Sequence, residues 1–149
     1  MSSVTLIDDD TNELFFWTDN MLTSEWNEQS VLNKLLEAKE TLVCDALLDQ
    51  HLFPGVGNII KNEVLYSTGI HPLSKIGGLK RFKLLQLIRE TRHYAVQYMN
   101  WKNQGIMHVK WNVHQQELCP KHESPLKVKI LGKTKRKTYY CEKCQTLYI

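Results

Sequence analysis

The chain has 149 residues, 42% of them hydrophobic, which is enough to bury one core and a small satellite. It has no run of about 18 apolar residues, so a membrane-spanning helix is excluded, and the opening MSSVTLIDDD has neither the basic nor the apolar region of a secretory signal. The net charge of +3 conceals a gradient: residues 1–50 carry eleven acidic side chains and two lysines, whereas residues 51–149 carry seventeen Lys/Arg against five Glu. Such polarity suits a later segment that faces a polyanion. An intracellular setting, where thiols stay reduced, makes metal ligation the better reading of clustered cysteines.

In chain order, Val4, Leu6, Leu14 and Phe16 flank a polar stretch from Asp8 to Asn12, which predicts a short β-hairpin. Met21–Asn27 reads as a connector, with Thr23 or Ser24 available to cap a helix. Val31, Leu32, Leu35 and Leu36 fall at helical spacing between Glu28 and Lys39. A second helical pattern runs through Leu42, Val43, Ala46 and Leu47 to near Leu52, with Cys44 as a small packed hydrophobe. Pro54-Gly55-Val56-Gly57-Asn58 is a turn, after which helix resumes at Ile59 and stops at Gly69, with Pro72 just beyond. Phe82, Leu85, Ile88, Ala95, Val96 and Met99 mark a long helix closing near Gly105. Two β-prone runs, Val128–Leu131 and Thr138–Tyr140, surround the basic stretch from Gly132 to Lys137.

Cys119-Pro-Lys-His122 and Cys141-Glu-Lys-Cys144 form a C-x2-H and C-x2-C pair separated by eighteen residues. Two residues between ligands let a tight knuckle aim both side chains at one tetrahedral ion, and eighteen suffice for a hairpin that joins the knuckles. Thiolates with an imidazole favour Zn²⁺, and four protein ligands make one structural zinc rather than a catalytic one. His108 and His114 are spare candidates without knuckle spacing. Between the knuckles lie Lys127, Lys129, Lys133, Lys135, Arg136 and Lys137, a cationic finger suited to phosphate contact.

The glycine turn offers a second anion site. Gly55 and Gly57 permit positive φ or close approach of another backbone, and Asn58 stands where a helix cap belongs. A helix start also presents N–H groups and the positive end of a dipole to a phosphate, with Lys61 one turn further in.

Leu47-Leu48-Asp49-Gln50, then PGVGNIIKNE from Pro54 to Glu63, then Gly69-Ile70-His71-Pro72 resemble the helix–two-turn–helix signature of the formamidopyrimidine-DNA glycosylase/endonuclease VIII family. Residues 136–145, RKTYYCEKCQ, are similar to that family's zinc-finger ending. The resemblance covers roughly residues 28–145 and is nearest the vertebrate endonuclease VIII-like branch with a histidine among its zinc ligands. It implies that Asn58 and Arg136 contact phosphates flanking a lesion, pinching a kinked duplex whose damaged nucleotide is flipped out. Asp49 and Gln50 match signature positions and are expected to organise the helices. Family enzymes begin with a proline whose amine attacks the sugar, usually followed by glutamate. Here the chain opens Met1-Ser2-Ser3, so a fragment or a natural truncation without those catalytic residues is expected.

The expected fold is mainly α: a helix–two-turn–helix domain, a C-terminal β-hairpin zinc finger and a short N-terminal β-hairpin. Residues 1–27 form the hairpin remnant and connector, 28–115 the helical domain and 116–149 the zinc finger. The expected function is that of the DNA-binding half of a base-excision-repair glycosylase and abasic-site lyase. Its partner would be double-stranded DNA with damaged bases or abasic sites, bound by a monomer in the nucleus of a eukaryote. The expected metal ligands are Cys119, His122, Cys141 and Cys144, and the DNA contacts are Asn58, Arg136, Gly57 and Lys61. A stand-alone, non-enzymatic zinc-containing DNA-binding protein is the alternative.

Overall fold

The computed structural model describes residues 26–149, and the expected N-terminal hairpin, like Thr23 and Ser24, lies outside them. Four α-helices come first: α1 (Glu28–Glu37), α2 (Val43–Leu47), α3 (Asn58–Thr68) and α4 (Arg81–Gln104). Two antiparallel strands follow, β1 (Lys127–Leu131) and β2 (Arg136–Tyr140), paired from Lys127 with Tyr140 to Leu131 with Arg136. No helix among the described residues is long and apolar enough to cross a membrane.

Asn27 starts α1, its side-chain oxygen accepting from the Gln29 and Ser30 amides at 2.8 and 3.1 Å. The second helix is shorter than its apolar pattern suggests. After Leu47 the chain leaves the helix and descends through turns, with the Asp49 carboxylate accepting from the His51 amide at 2.9 Å. Gln50 then braces the glycine turn: its Oε1 accepts from the Gly55 amide and its Nε2 donates to the Val56 carbonyl at 3.1 Å. Asp49 and Gln50 thus shape the link between α2 and α3. Gly55 adopts φ +85°, where a side chain is strained, whereas Gly57 has an ordinary negative φ of −110°. Only the first of these glycines therefore uses the positive-φ freedom expected of both.

The core gathers Leu32, Leu35, Val43, Leu47, Ile59, Ile60, Leu65 and Leu87 from all four helices, with Phe53 from the link between α2 and α3. The buried stripe of α4 is Leu84, Leu87, Ile88, Thr91, Tyr94, Ala95 and Tyr98. Phe82 is instead 68% exposed and Val96 44%. The apolar pattern therefore located this helix, and Leu85, Ile88, Ala95 and Met99 do face the core, but Phe82 and Val96 do not. Tyr94 and Tyr98 pack inward although they carry hydroxyls, and Phe82 falls on the solvent side of the first turn.

The third helix has the most unusual surroundings, since every residue of it except Ser67 is buried. Its polar members each need a partner there. Glu63 accepts from the backbone amides of Asn112, Val113 and His114 at 2.9, 2.8 and 2.8 Å, fixing the segment that leads from α4 to the first knuckle. Burial raises the Glu63 carboxyl above its usual range, and the three N–H groups oppose that rise.

Removing this acceptor strands two buried donors, the Val113 and His114 amides, and the part-buried Asn112 amide. Glu63→Ala should lower unfolding free energy by about 3–5 kcal/mol, read as a fall in urea midpoint. Phe82→Ala should change it by less than about 0.5 kcal/mol. Equal midpoints for the two variants would contradict this account of the buried carboxylate.

Candidate nucleic-acid interface and metal centre

The two knuckles are built by short local bonds. In the first, the Glu123 amide donates to the Cys119 carbonyl at 2.7 Å, and the Cys119 amide donates to the Ser124 carbonyl at 2.9 Å. In the second, the Gln145 amide donates to the Cys141 carbonyl at 3.0 Å, and the Gln145 side chain accepts from the Cys141 amide at 2.7 Å. The same Gln145 amide group donates to the Ile70 carbonyl at 3.0 Å, tying the knuckle to the end of α3.

These turns bring Cys119, His122, Cys141 and Cys144 together, with one ligand atom from each lying within 4.8 Å of all the others. Cys119 Sγ is 3.6 Å from Cys144 Sγ, too far for a disulfide bond of about 2.05 Å. His122 Nδ1 is 3.3 Å from Cys144 Sγ and 3.9 Å from Cys119 Sγ. A tetrahedral ion with bonds of about 2.3 Å to sulfur and about 2.0 Å to nitrogen separates its ligand atoms by roughly 3.5–3.8 Å, so the cluster fits a metal ion. Cys119 and Cys141 are buried, while His122 is exposed. His114 joins Asn62, and His108 sits in a 3₁₀ turn; neither belongs to the cluster. Cys44 is buried, and burial pushes its thiol up to about 11, with the Asp45 carboxylate adding to the effect.

The hairpin lies across α3, and polar contacts fix it there. Asn58 Nδ2 donates to the Lys137 carbonyl at 2.8 Å. Asn62 Nδ2 donates to His114 Nδ1 at 3.0 Å and reaches the same carbonyl at 3.5 Å. Asn58 does not cap its helix: Gly57 holds the cap position, and no side chain closes that end. The side chain of Asn58 is turned toward the finger instead, leaving the residue 4% exposed. Lys61 is 1% exposed, and its Nζ donates to Thr138 Oγ1 at 2.8 Å, so its ammonium lies beneath the hairpin rather than in solvent.

The finger tip has its own anchor. The Asp45 carboxylate accepts from the Lys133 amide at 3.1 Å and from the Thr134 amide and hydroxyl, each at 3.2 Å. Gly132 turns the chain there at φ +80°, and a Cβ on it would collide with the Asp45 carboxylate and Cys44 Sγ. Arg136 follows this turn as the first residue of β2, next to the Lys137 carbonyl that Asn58 holds.

The sequence pattern singled out Asn58, Lys61 and Arg136 but missed Asp45, Asn62, Glu63 and Thr138. A signal for part of this set was available. Residues 58, 61 and 62 are polar and share one helical face in an otherwise apolar stretch, which points to a polar neighbour rather than solvent.

Burial holds the Lys61 ammonium down to about 8, below its ordinary value of 10.5. The folded chain therefore gives up this proton before the unfolded chain does. Stability should rise with pH between those two values, by at most about 3 kcal/mol. Lys61→Met should lack that rise, and denaturant titrations of both proteins from pH 7.5 to 10.5 check it. Parallel profiles would show that the buried ammonium does not set this dependence.

Comparison with known proteins fits this geometry. The family model described as the formamidopyrimidine-DNA glycosylase H2TH domain matches residues 20–106. The chain is 31% identical over 132 residues to endonuclease 8-like 3 of Xenopus laevis, covering 88% of this chain and 21% of that protein. It is 34% identical over 131 residues to endonuclease 8-like 2 of Homo sapiens, covering 86% of this chain and 38% of that protein. The crystal structure of a viral DNA glycosylase superposes with a TM-score of 0.73 at 26% identity, covering 85% of this chain and 49% of the other. This chain thus spans less than half the length of each. The family model spans more than half of this chain, from before α1 to just past α4, and includes the helix pair that carries the glycine turn. The chain belongs to the formamidopyrimidine-DNA glycosylase H2TH-domain family.

Proposed function

We propose that this chain is the DNA-binding half of a base-excision-repair glycosylase and abasic-site lyase, holding duplex phosphates on both sides of a damaged nucleotide. The observation that carries the reading is the bond from Asn58 to the Lys137 carbonyl. It joins the start of α3 to the residue beside Arg136, so a helix terminus and a cationic finger act from one rigid support. The excess of Lys and Arg after residue 50 supports a polyanionic partner. The relatives, two endonucleases and a DNA glycosylase by name, support the same class of partner.

In this reading each residue has a separate task. Arg136 supplies a forked cation for a phosphate oxygen. Asn58 carries two amide hydrogens: one holds the finger, which leaves the second for a phosphate of the duplex. Gly57, without a side chain at the helix start, lets a phosphodiester approach the N–H groups of α3. Lys61 adds positive potential from beneath the hairpin. Flipping a nucleotide and kinking the duplex costs a few kcal/mol, and two anchors on either side of the kink offset that cost. The partner is double-stranded DNA containing damaged bases or abasic sites. Eukaryotic relatives support the nucleus as the site of action.

We assign the Cys119, His122, Cys141 and Cys144 cluster to one structural Zn²⁺. When bound, the ion cross-links the two knuckles and reinforces the small apolar cluster of Tyr66, Val113, Leu126 and Tyr139, which is all the core a segment of this size has. Residues 28–115 then act as the helical domain and 116–149 as the zinc finger, the second seated on α3 of the first.

Binding of a duplex carrying an abasic-site analogue tests the contacts. Arg136→Ala should weaken it about tenfold or more and reduce the slope of log K against log salt by about one. Asn58→Ala should weaken binding with little change in that slope, because it removes no charge. Wild-type affinity in both variants would rule the contacts out. Stripping the metal with a strong chelator should release one equivalent of zinc and abolish duplex binding, while much of the helical circular dichroism from α1–α4 persists. Material purified without stoichiometric zinc would contradict the metal assignment.

A further inference from the structure

We infer that Tyr66 is a positioning residue of the metal centre, its phenol donating a hydrogen bond to the metal-bound thiolate of Cys119. The inference rests on the zinc assignment above and goes beyond the four ligands. Tyr66 lies in the last turns of α3 and is 5% exposed. Its hydroxyl oxygen is 3.4 Å from Cys119 Sγ, inside the range of an O–H···S hydrogen bond. Cys119 is itself fully buried, so water does not compete for that sulfur.

The direction of the bond follows from the metal chemistry. A cysteine bound to Zn²⁺ is deprotonated and has no hydrogen to give, so only the phenol can be the donor. The ring is held from a second side by the same knuckle, since Lys121 Nζ sits 5.7 Å from its centroid. One side chain of α3 therefore meets the first knuckle twice, at a ligand and at the residue two positions further on. A hydrogen bond to a coordinated thiolate draws charge from the sulfur and fixes its rotamer, and partners of this kind typically carry 10–100-fold in metal affinity. In this fold it also links the metal to the helix whose other end bears Asn58.

Tyr66→Phe isolates the hydrogen bond, because it keeps the ring and its contact with Lys121. The test uses the full chain loaded with Co²⁺, and Zn²⁺ affinity is measured by competition with a chelating dye. The variant should bind Zn²⁺ about tenfold more weakly. Its sulfur-to-cobalt charge-transfer band should move to lower energy, because the sulfur loses a donor; a purely structural role for the phenol would not shift that band. In the wild-type chain loaded with ¹¹³Cd, the Tyr66 hydroxyl proton should exchange slowly and show scalar coupling to the metal, a readout that does not depend on the variant folding. A wild-type chain that takes up Co²⁺ with an unchanged band and affinity in Tyr66→Phe, or without the ¹¹³Cd coupling, overturns this inference alone. A wild-type chain that gives no tetrahedral Co²⁺ spectrum overturns the zinc assignment and this inference with it.

Discussion

A helix buried on nearly every side carries long polar side chains at a cost that partners from the rest of the chain must offset. Asn58, Lys61, Asn62 and Glu63 form that constraint in α3. Each unsatisfied group would cost about 1–3 kcal/mol, and more where it is charged. The partners are the Lys137 carbonyl, Thr138, His114 and the backbone from Asn112 to His114. All lie at least 49 residues further along the chain. The polar face of one helix thereby dictates where the later segment must sit.

This dependence explains how a thin two-stranded hairpin acquires a defined orientation. Two strands alone are marginal in water, and here β1 is exposed along most of its length. Three kinds of restraint supplement the small apolar cluster of Tyr66, Val113, Leu126 and Tyr139. Ligand atoms converge at the knuckles, α3 accepts the second strand along its polar face, and Asp45 holds the turn. The tail after the second knuckle is also tied down: the His71 amide donates to the Thr146 carbonyl at 2.8 Å, and the Lys75 amide donates to the Tyr148 carbonyl at 3.0 Å. Both flanks of the cluster are thus attached to the helical part.

Much of this was legible in the residues. The knuckle spacing located the cluster because it is a local pattern with few other uses. Pro54–Asn58 marked the turn before α3, and Gly69 and Gly105 marked two helix ends, both adopting φ +73°. What stayed hidden was non-local. Which residues of α4 are covered depends on which neighbours reach it, so Phe82 looked like core and Tyr98 did not. The early end of α2 depends on Gln50 bracing a turn that periodicity does not register. The seat of Lys61 required knowing that Thr138 would lie over it, 77 residues away. The family resemblance supplied roles for Asn58 and Arg136, and the geometry added that one of these side chains holds the strand on which the other stands.

Gly132 makes no side-chain contact, yet it sets how low the finger rides. Its bare α-carbon lets the tip settle against Asp45 and Cys44, in a backbone shape that other residues resist. Any bulk there would act as a shim, lifting the tip off Asp45 and Cys44 while every ligand and every cation kept its identity. Evolution can thus adjust the gap between helix start and finger through a position that carries no side chain of its own.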